Sequence, residues 1–466
     1  MTTMLEPSDY GQWVLLAAFQ IFCSLILLNP VDQHVFRHTH IWWDEGNLLR
    51  YLSKYNQYIW VVSILIAFIV MVWWDVTQIA ENGTLILGLS AGVAVGLVVY
   101  LSAWSAALTT SLNMLGFRAQ GVIWTVTSAL VSLVSSALFV MQYTHAIAWM
   151  TGQALGAAVG ALGAWRTLRK HSMKSYSSDK KIDFSEFLSR STILAFCLPL
   201  AAATSFMWLQ NTGFRFLVGS GWGVAELGIF AVGLGVSAQL TSIIESLAMQ
   251  FFYPFFARHI SDAKTDQQTG SALSDLMNVL APIYAIWAGF NAIFAAVLLN
   301  VLTDARYHAA VPFVIFGAMI EFMRCTTNLW SNTARAKLRT KGLIIPYGIG
   351  AAVVWLGVIG LTHIGVGLTG VSTVLLIASI ATCGTMIMIM QRVLHISIDM
   401  SRLVIGLSIM CTCFAMAIIK PIAIVGRYQS MAMLISGGVA VSFLMAGMLW
   451  KNPALKRLLS ISLNKT

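Results

Sequence analysis

The sequence predicts an all-α, polytopic integral membrane protein with about thirteen membrane-crossing helices. Three observations predict it. Of 466 residues, 58% are hydrophobic and 10% charged, against roughly 25% charged in a soluble domain, and the mean hydropathy is +0.78. The apolar runs are continuous and long, suiting helices of about 20 residues rather than barrel strands of roughly ten alternating ones. The positive excess, 28 Lys and Arg against 18 Asp and Glu, sits in short clusters between these runs. That is a membrane distribution, and it excludes nucleic acid as a partner.

Reading runs bounded by charge or turn residues places the helices near 12–29, 57–76, 83–107, 119–142, 146–165, 190–210, 223–254, 273–299, 309–329, 342–362, 366–390, 402–419 and 428–449. The span 223–254 is long enough to tilt or to extend past the bilayer. With residue 1 outside and loops assigned alternately, only Arg215, Arg306, Lys420 and Arg427 fall outside, and Arg324 lies near an inner helix end. All other Lys and Arg fall inside, as the positive-inside rule requires. The C-terminal tail is then cytoplasmic and residue 1 extracytoplasmic. Met1–Tyr10 has no positive charge and no apolar core, so it is no signal peptide.

The chain divides into an N-terminal bundle (1–165), a cytoplasmic connector (166–189) rich in Lys and Arg, a C-terminal bundle (190–390), and two further helices with a tail (391–466). No loop houses a nucleotide-binding domain and no phosphate-binding loop motif occurs, so neither an ATP-driven pump nor a cofactor is expected. The segment 30–56, with Trp42 and Trp43 beside Asp44, reads as a stretch lying at the bilayer surface. His34, His38 and His40 lie there without a placed acidic partner, and the six cysteines form no ligand cluster; no metal site is expected.

Charges at membrane depth are costly and face an interior or a watered cavity. Glu245 lies in mid-span and is either a hydrogen-bonded packing residue or a cavity or coupling site; no second acidic residue lies within one turn of it. Glu321 and Arg324 are i, i+3 and can pair, locking two helices near the inner surface. Arg215 follows a helix at its outer end. Pro199, Pro282, Pro312 and Pro346 lie inside apolar spans, where proline bends a helix, and Pro254 marks a helix end. Gly152, Gly156 and Gly160 form a smooth stripe that permits close helix contact.

The order of these features resembles the polysaccharide-transporter branch of the multidrug/oligosaccharidyl-lipid/polysaccharide (MOP) exporter superfamily, which includes O-antigen flippases. Three places carry the resemblance. Leu5-Glu6-Pro7-Ser8-Asp9-Tyr10-Gly11 is similar to a family motif after its first helix, with Asp9 and Gly11 matching. Val31-Asp32-Gln33-His34-Val35-Phe36-Arg37 is similar to one after the second, with Asp32 and Arg37 matching. Pro199, Arg215 with Gly219, and Leu227-Gly228-Ile229-Phe230-Ala231 are similar to the run through helices seven and eight.

The resemblance implies a MATE-like architecture of two bundles around a cavity, and a chain beginning just after the family's first helix. A misplaced start codon is the expected reason, with an apolar stretch upstream. It also implies export of a lipid-linked, undecaprenyl-diphosphate-type oligosaccharide across the bacterial cytoplasmic membrane for surface polysaccharide (O-antigen, lipopolysaccharide) biosynthesis. Membrane lipids, a polysaccharide polymerase and chain-length machinery are the implied partners. Arg118, Arg215 and Arg324 are the arginines expected to approach the cavity, and Glu245 and Glu321 the carboxylates. The competing function is a cation-coupled multidrug or small-molecule antiporter. An enzyme is not expected, because no loop carries clustered catalytic side chains.

Overall fold

In the computed structural model the described residues are 2–78, 85–172, 190–263, 265–337, 340–420, 422 and 426–459. Among them the regular structure is helical throughout, and twelve helices are long and apolar enough to cross a membrane. A further helix, α7 (Arg190–Trp208), occupies the remaining span read from the sequence. The chain forms two compact units, Thr3–Gly219 and Ser220–Thr466. Most of the connector, 173–189, lies outside the described residues.

The first unit opens with α1 (Pro7–Phe22), one π-helical turn (Cys23–Leu28) and α2 (Asn29–Asp44). Pro30 cannot donate to a helical ladder and its ring collides with the preceding turn. The wider π turn just before it carries the chain onward without a break. The segment 30–56, read from sequence as a surface stretch, is thus almost wholly helical: α2 runs to Asp44, and α3 (Leu48–Gln78) starts after a tight turn at Gly46. Its aromatic residues serve that turn, with Trp42 stacked on Tyr51 at 4.3 Å between ring centroids.

The remaining helices of this unit are α4 (Leu85–Met114), α5 (Arg118–Gln142), α6 (Ala146–Ser172) and the pair α7 and α8 (Phe214–Trp222), joined by a second π turn, Leu209–Gly213. The glycine stripe of α6 is a contact surface with α5. A Cβ on Gly156 would lie 2.3 Å from the Ser132 backbone nitrogen, and one on Gly152 2.3 Å from that of Ser136. At this separation the α5 serines reach across: Ser128 donates to the Gly156 carbonyl (2.9 Å), Ser135 to Gly152 (2.8 Å) and Ser136 to Trp149 (2.9 Å). Each such interhelical bond contributes about 1 kcal/mol where water is absent. The opposite face of α5 carries Val122, Ile123, Val126, Leu130 and Leu133, all more than half exposed, as a lipid-facing surface requires.

The second unit contains α9 (Val224–Asp262), α10 (Asp266–Ile293), α11 (Ala295–Leu302), α12 (Val311–Ala336), α13 (Ile344–Ile364), α14 (Leu368–Val393), α15 (Met400–Ile419), α16 (Arg427–Leu449) and the short α17 (Pro453–Leu459). Helix α10 is its centre, 78% buried over its apolar window against 0% for α16, and it packs on α9, α12 and α15. The prolines need correction. Pro312 lies in the first turn of α12 and Pro346 is the third residue of α13, positions where a missing N–H costs nothing. Pro254 does not end α9, which continues to Asp262. Pro199 and Pro282 do lie inside helices.

Helix α17 is tied to the bundle. Asp275, 6% exposed, accepts from Arg457 at 2.6 and 3.0 Å, and the carbonyl of Leu458 meets His259 at 3.1 Å. Asn278 holds the adjoining loop, accepting from the Asp399 N–H (2.8 Å) and donating to the Ser397 carbonyl (3.1 Å).

Candidate functional site

Both units hold charged or polar side chains that meet within their helices. In the first, Asp32 projects from α2 and accepts a hydrogen bond from Tyr55 of α3. Beside it the two carbonyls flanking the bend are taken up by side chains, Tyr58 donating to Leu27 (2.7 Å) and Cys197 to Pro30 (3.4 Å). The motif position Asp32 is therefore a polar link between α2 and α3, and α7 is tied to α2 beside it through Cys197. Arg37 also falls in α2, but its side chain lies outside the described residues.

Asp9 faces His145, at 3.4 Å, and Gly11 is buried in α1. Arg215 opens α8 immediately after the second π turn and lies within electrostatic reach of Tyr10. Its sequence neighbour Phe216 packs edge to face on Phe19 (5.0 Å) and on Trp73 (5.6 Å). Two motifs far apart in sequence, that of Asp9–Gly11 and that of Arg215–Gly219, are thus brought together. Arg118 is not part of this group: it starts α5 and is exposed.

The second unit joins three candidates. The Arg324 guanidinium donates to Glu321 Oε2 (2.6 Å) and to Glu245 Oε2 (2.8 Å), and Asn328 donates to Glu245 Oε1 (2.9 Å). All three charged side chains are largely enclosed, at 29%, 12% and 20% exposure for Arg324, Glu321 and Glu245. In sequence Glu245 has no acidic neighbour; packing of α9 on α12 supplies one 76 positions away, through a shared arginine. The set carries two carboxylates and one guanidinium. It can accept one further positive charge, a proton or a small cation, without changing partners. The Tyr284 hydroxyl of α10 is buried without a hydrogen-bond partner among the described residues and interacts electrostatically with Glu245, Arg324 and Cys325.

Asn328, Tyr284 and Tyr55 escaped the reading of the sequence. Asn328 is one turn beyond Arg324 on the same face, so helical spacing alone would have found it. Tyr55 and Tyr284 carry no local signal. Of the remaining motif positions, Pro199 lies inside α7, Gly219 in α8, and Gly228 is buried near the start of α9.

Long apolar helices in two units, with charged side chains paired inside them, define the fold of a multi-pass membrane protein. Three solved structures share it. A multidrug resistance MATE family transporter of the MOP superfamily, in an inward-facing conformation, aligns with TM-score 0.62 and 10% identity over 84% of this chain and 92% of that one. The lipid II flippase MurJ, in an inward closed conformation, aligns with TM-score 0.56 and 12% identity over 95% and 93%. The eukaryotic MATE transporter AtDTX14 aligns with TM-score 0.54 and 13% identity over 88% and 96%. No curated protein matches the chain in sequence. Residues 1–312 match the polysaccharide biosynthesis protein family, and the chain belongs to that family.

Proposed function

We propose that the protein translocates a lipid-linked oligosaccharide, of the undecaprenyl-diphosphate type, across the bacterial cytoplasmic membrane for surface polysaccharide assembly. The observation that carries this reading is the family match over residues 1–312 on a chain with a dozen long apolar helices. The physical task is to move a polar head past hydrocarbon while its lipid tail stays in the bilayer. Polar side chains held inside the helical units, such as Asp32 and the Arg324 set, fit that task. Polymerase and chain-length machinery would act on the product. Deleting the gene should abolish surface polysaccharide while lipid-linked precursor accumulates in the cytoplasmic leaflet. Unchanged surface polysaccharide in the deletion strain would remove the proposal.

The second reading, a cation-coupled antiporter of a small molecule, is favoured by the two carboxylates around Arg324. The same set serves the first reading as a coupling site, with Glu245 or Glu321 taking up the proton or cation. Glu245→Gln separates coupling from packing. The amide keeps shape and a hydrogen-bonding oxygen for Asn328, but it cannot titrate. Coupling predicts loss of export at normal protein level; full export would leave Glu245 as an interior packing residue.

A further inference from the structure

The first unit carries an open cavity of about 330 Å³ between α1, α4, α5 and α6, with no ionisable side chain among its lining residues. The volume falls in the range of small-molecule sites, roughly 300–1,000 Å³. We infer that it is a saccharide subsite, which takes a neutral, hydroxyl-rich sugar ring and excludes the diphosphate. The inference rests on the proposed flippase reading and deepens it.

The wall chemistry carries the inference. Thr109, Thr125, Ser128 and Ser132 have each committed their hydroxyl proton to a backbone carbonyl: Ser105 (2.9 Å), Gly121 (2.9 Å), Gly156 (2.9 Å) and Gln153 (3.3 Å). What these four hydroxyls offer the cavity is oxygen lone pairs, which suit a donor, while Ser102 and Ser105 of the same lining make no side-chain hydrogen bond among the described residues. A phosphate oxygen accepts only, and no cation stands here to meet its charge. A sugar hydroxyl donates and accepts at once. Its acceptor side is met by Gln20 of α1 and Gln153 of α6, two amides on different walls whose side chains make no hydrogen bond to the chain among the described residues. Both amides are only half-buried and face the cavity, so what fills it supplies their partners. A ligand that bonds both at once explains why they converge on one space. The aliphatic side, Val98, Ala106 and Ala157, suits the C–H face of a pyranose ring.

The test uses the full chain in lipid nanodiscs and two probes. One is the undecaprenyl-diphosphate-linked oligosaccharide extracted from cells lacking the gene; the other is undecaprenyl diphosphate alone. The double variant Q20L/Q153L should lose about tenfold in affinity for the glycosylated probe, as two hydrogen bonds are removed, with affinity for the sugar-free carrier unchanged. The single variants Q20M and Q153M keep nearly the native volume. They should each show part of the same selective loss, and they decide the matter if the double variant does not reach the membrane. Equal losses for both probes, or none for either, would overturn the subsite. So would a wild-type protein that binds the two probes equally. None of these results touches the deletion phenotype, so the subsite can fail while the flippase reading stands.

Discussion

Removing the Arg324 guanidinium takes from Glu245 and Glu321 the cation they share, and leaves Asn328 donating to Glu245. Breaking such an enclosed pair from one side costs on the order of 3 kcal/mol. Arg324→Ala should therefore lower the thermal unfolding temperature in detergent and reduce the amount of protein in the membrane. Arg324→Lys retains the charge but not the fork that reaches two helices at once, and its loss should be intermediate. A wild-type melting curve for Arg324→Ala would show that the three groups do not act as a unit. In the other unit, Tyr55→Phe strips Asp32 of its hydroxyl partner. We expect a destabilisation of about 1–3 kcal/mol, the usual penalty for a buried polar group left unpaired, read in the same assay.

At the scale of elements, the contact of α5 with α6 depends on the absence of side chains at three glycines. A leucine at Gly156 would force the helices apart, because even its Cβ meets the Ser132 backbone nitrogen at 2.3 Å. The α5 serines would then lose the α6 carbonyls, adding lost hydrogen bonds to the overpacking penalty of about 1–3 kcal/mol. Gly156→Leu should give little folded protein by size-exclusion chromatography. Gly235→Ala is the control: no atom beyond its own helix lies within 4 Å of the added Cβ, and the elution profile should not change. The π turns are the second lesson at this scale. Both sit just before a site residue, Cys23–Leu28 before Asp32 and Leu209–Gly213 before Arg215. A π turn re-aims the side chains that follow it relative to an unbroken helix.

For the whole molecule, the distribution of Lys and Arg predicts that the turn between α5 and α6 lies outside and the segment after α16 inside. In a cysteine-free background, Tyr143→Cys should react with an impermeant thiol reagent in intact cells. Trp450→Cys should react only after the membrane is opened. Both native side chains are well exposed, at 68% and 72%, so reactivity reports the side of the membrane rather than burial. Labelling of position 450 in intact cells would reverse the orientation.

Hydropathy and charge determined by themselves that this chain is a multi-pass helical membrane protein, because hydrocarbon leaves an isolated apolar segment few structures other than a helix. They also located nearly every helix, and the glycine stripe of α6 as a contact surface, since a period of four residues is visible in one segment alone. The helices within 30–56 were not legible because charges there suppress the hydropathy, while a π turn that passes Pro30 leaves no mark in composition. The tertiary structure alone decided the partners: Glu245 with Asn328 directly and with Glu321 through Arg324, and Asp32 with Tyr55. The reason is physical. A helix reveals its own face at spacings of three and four, but which face of which other helix meets it is set by the packing of the whole unit.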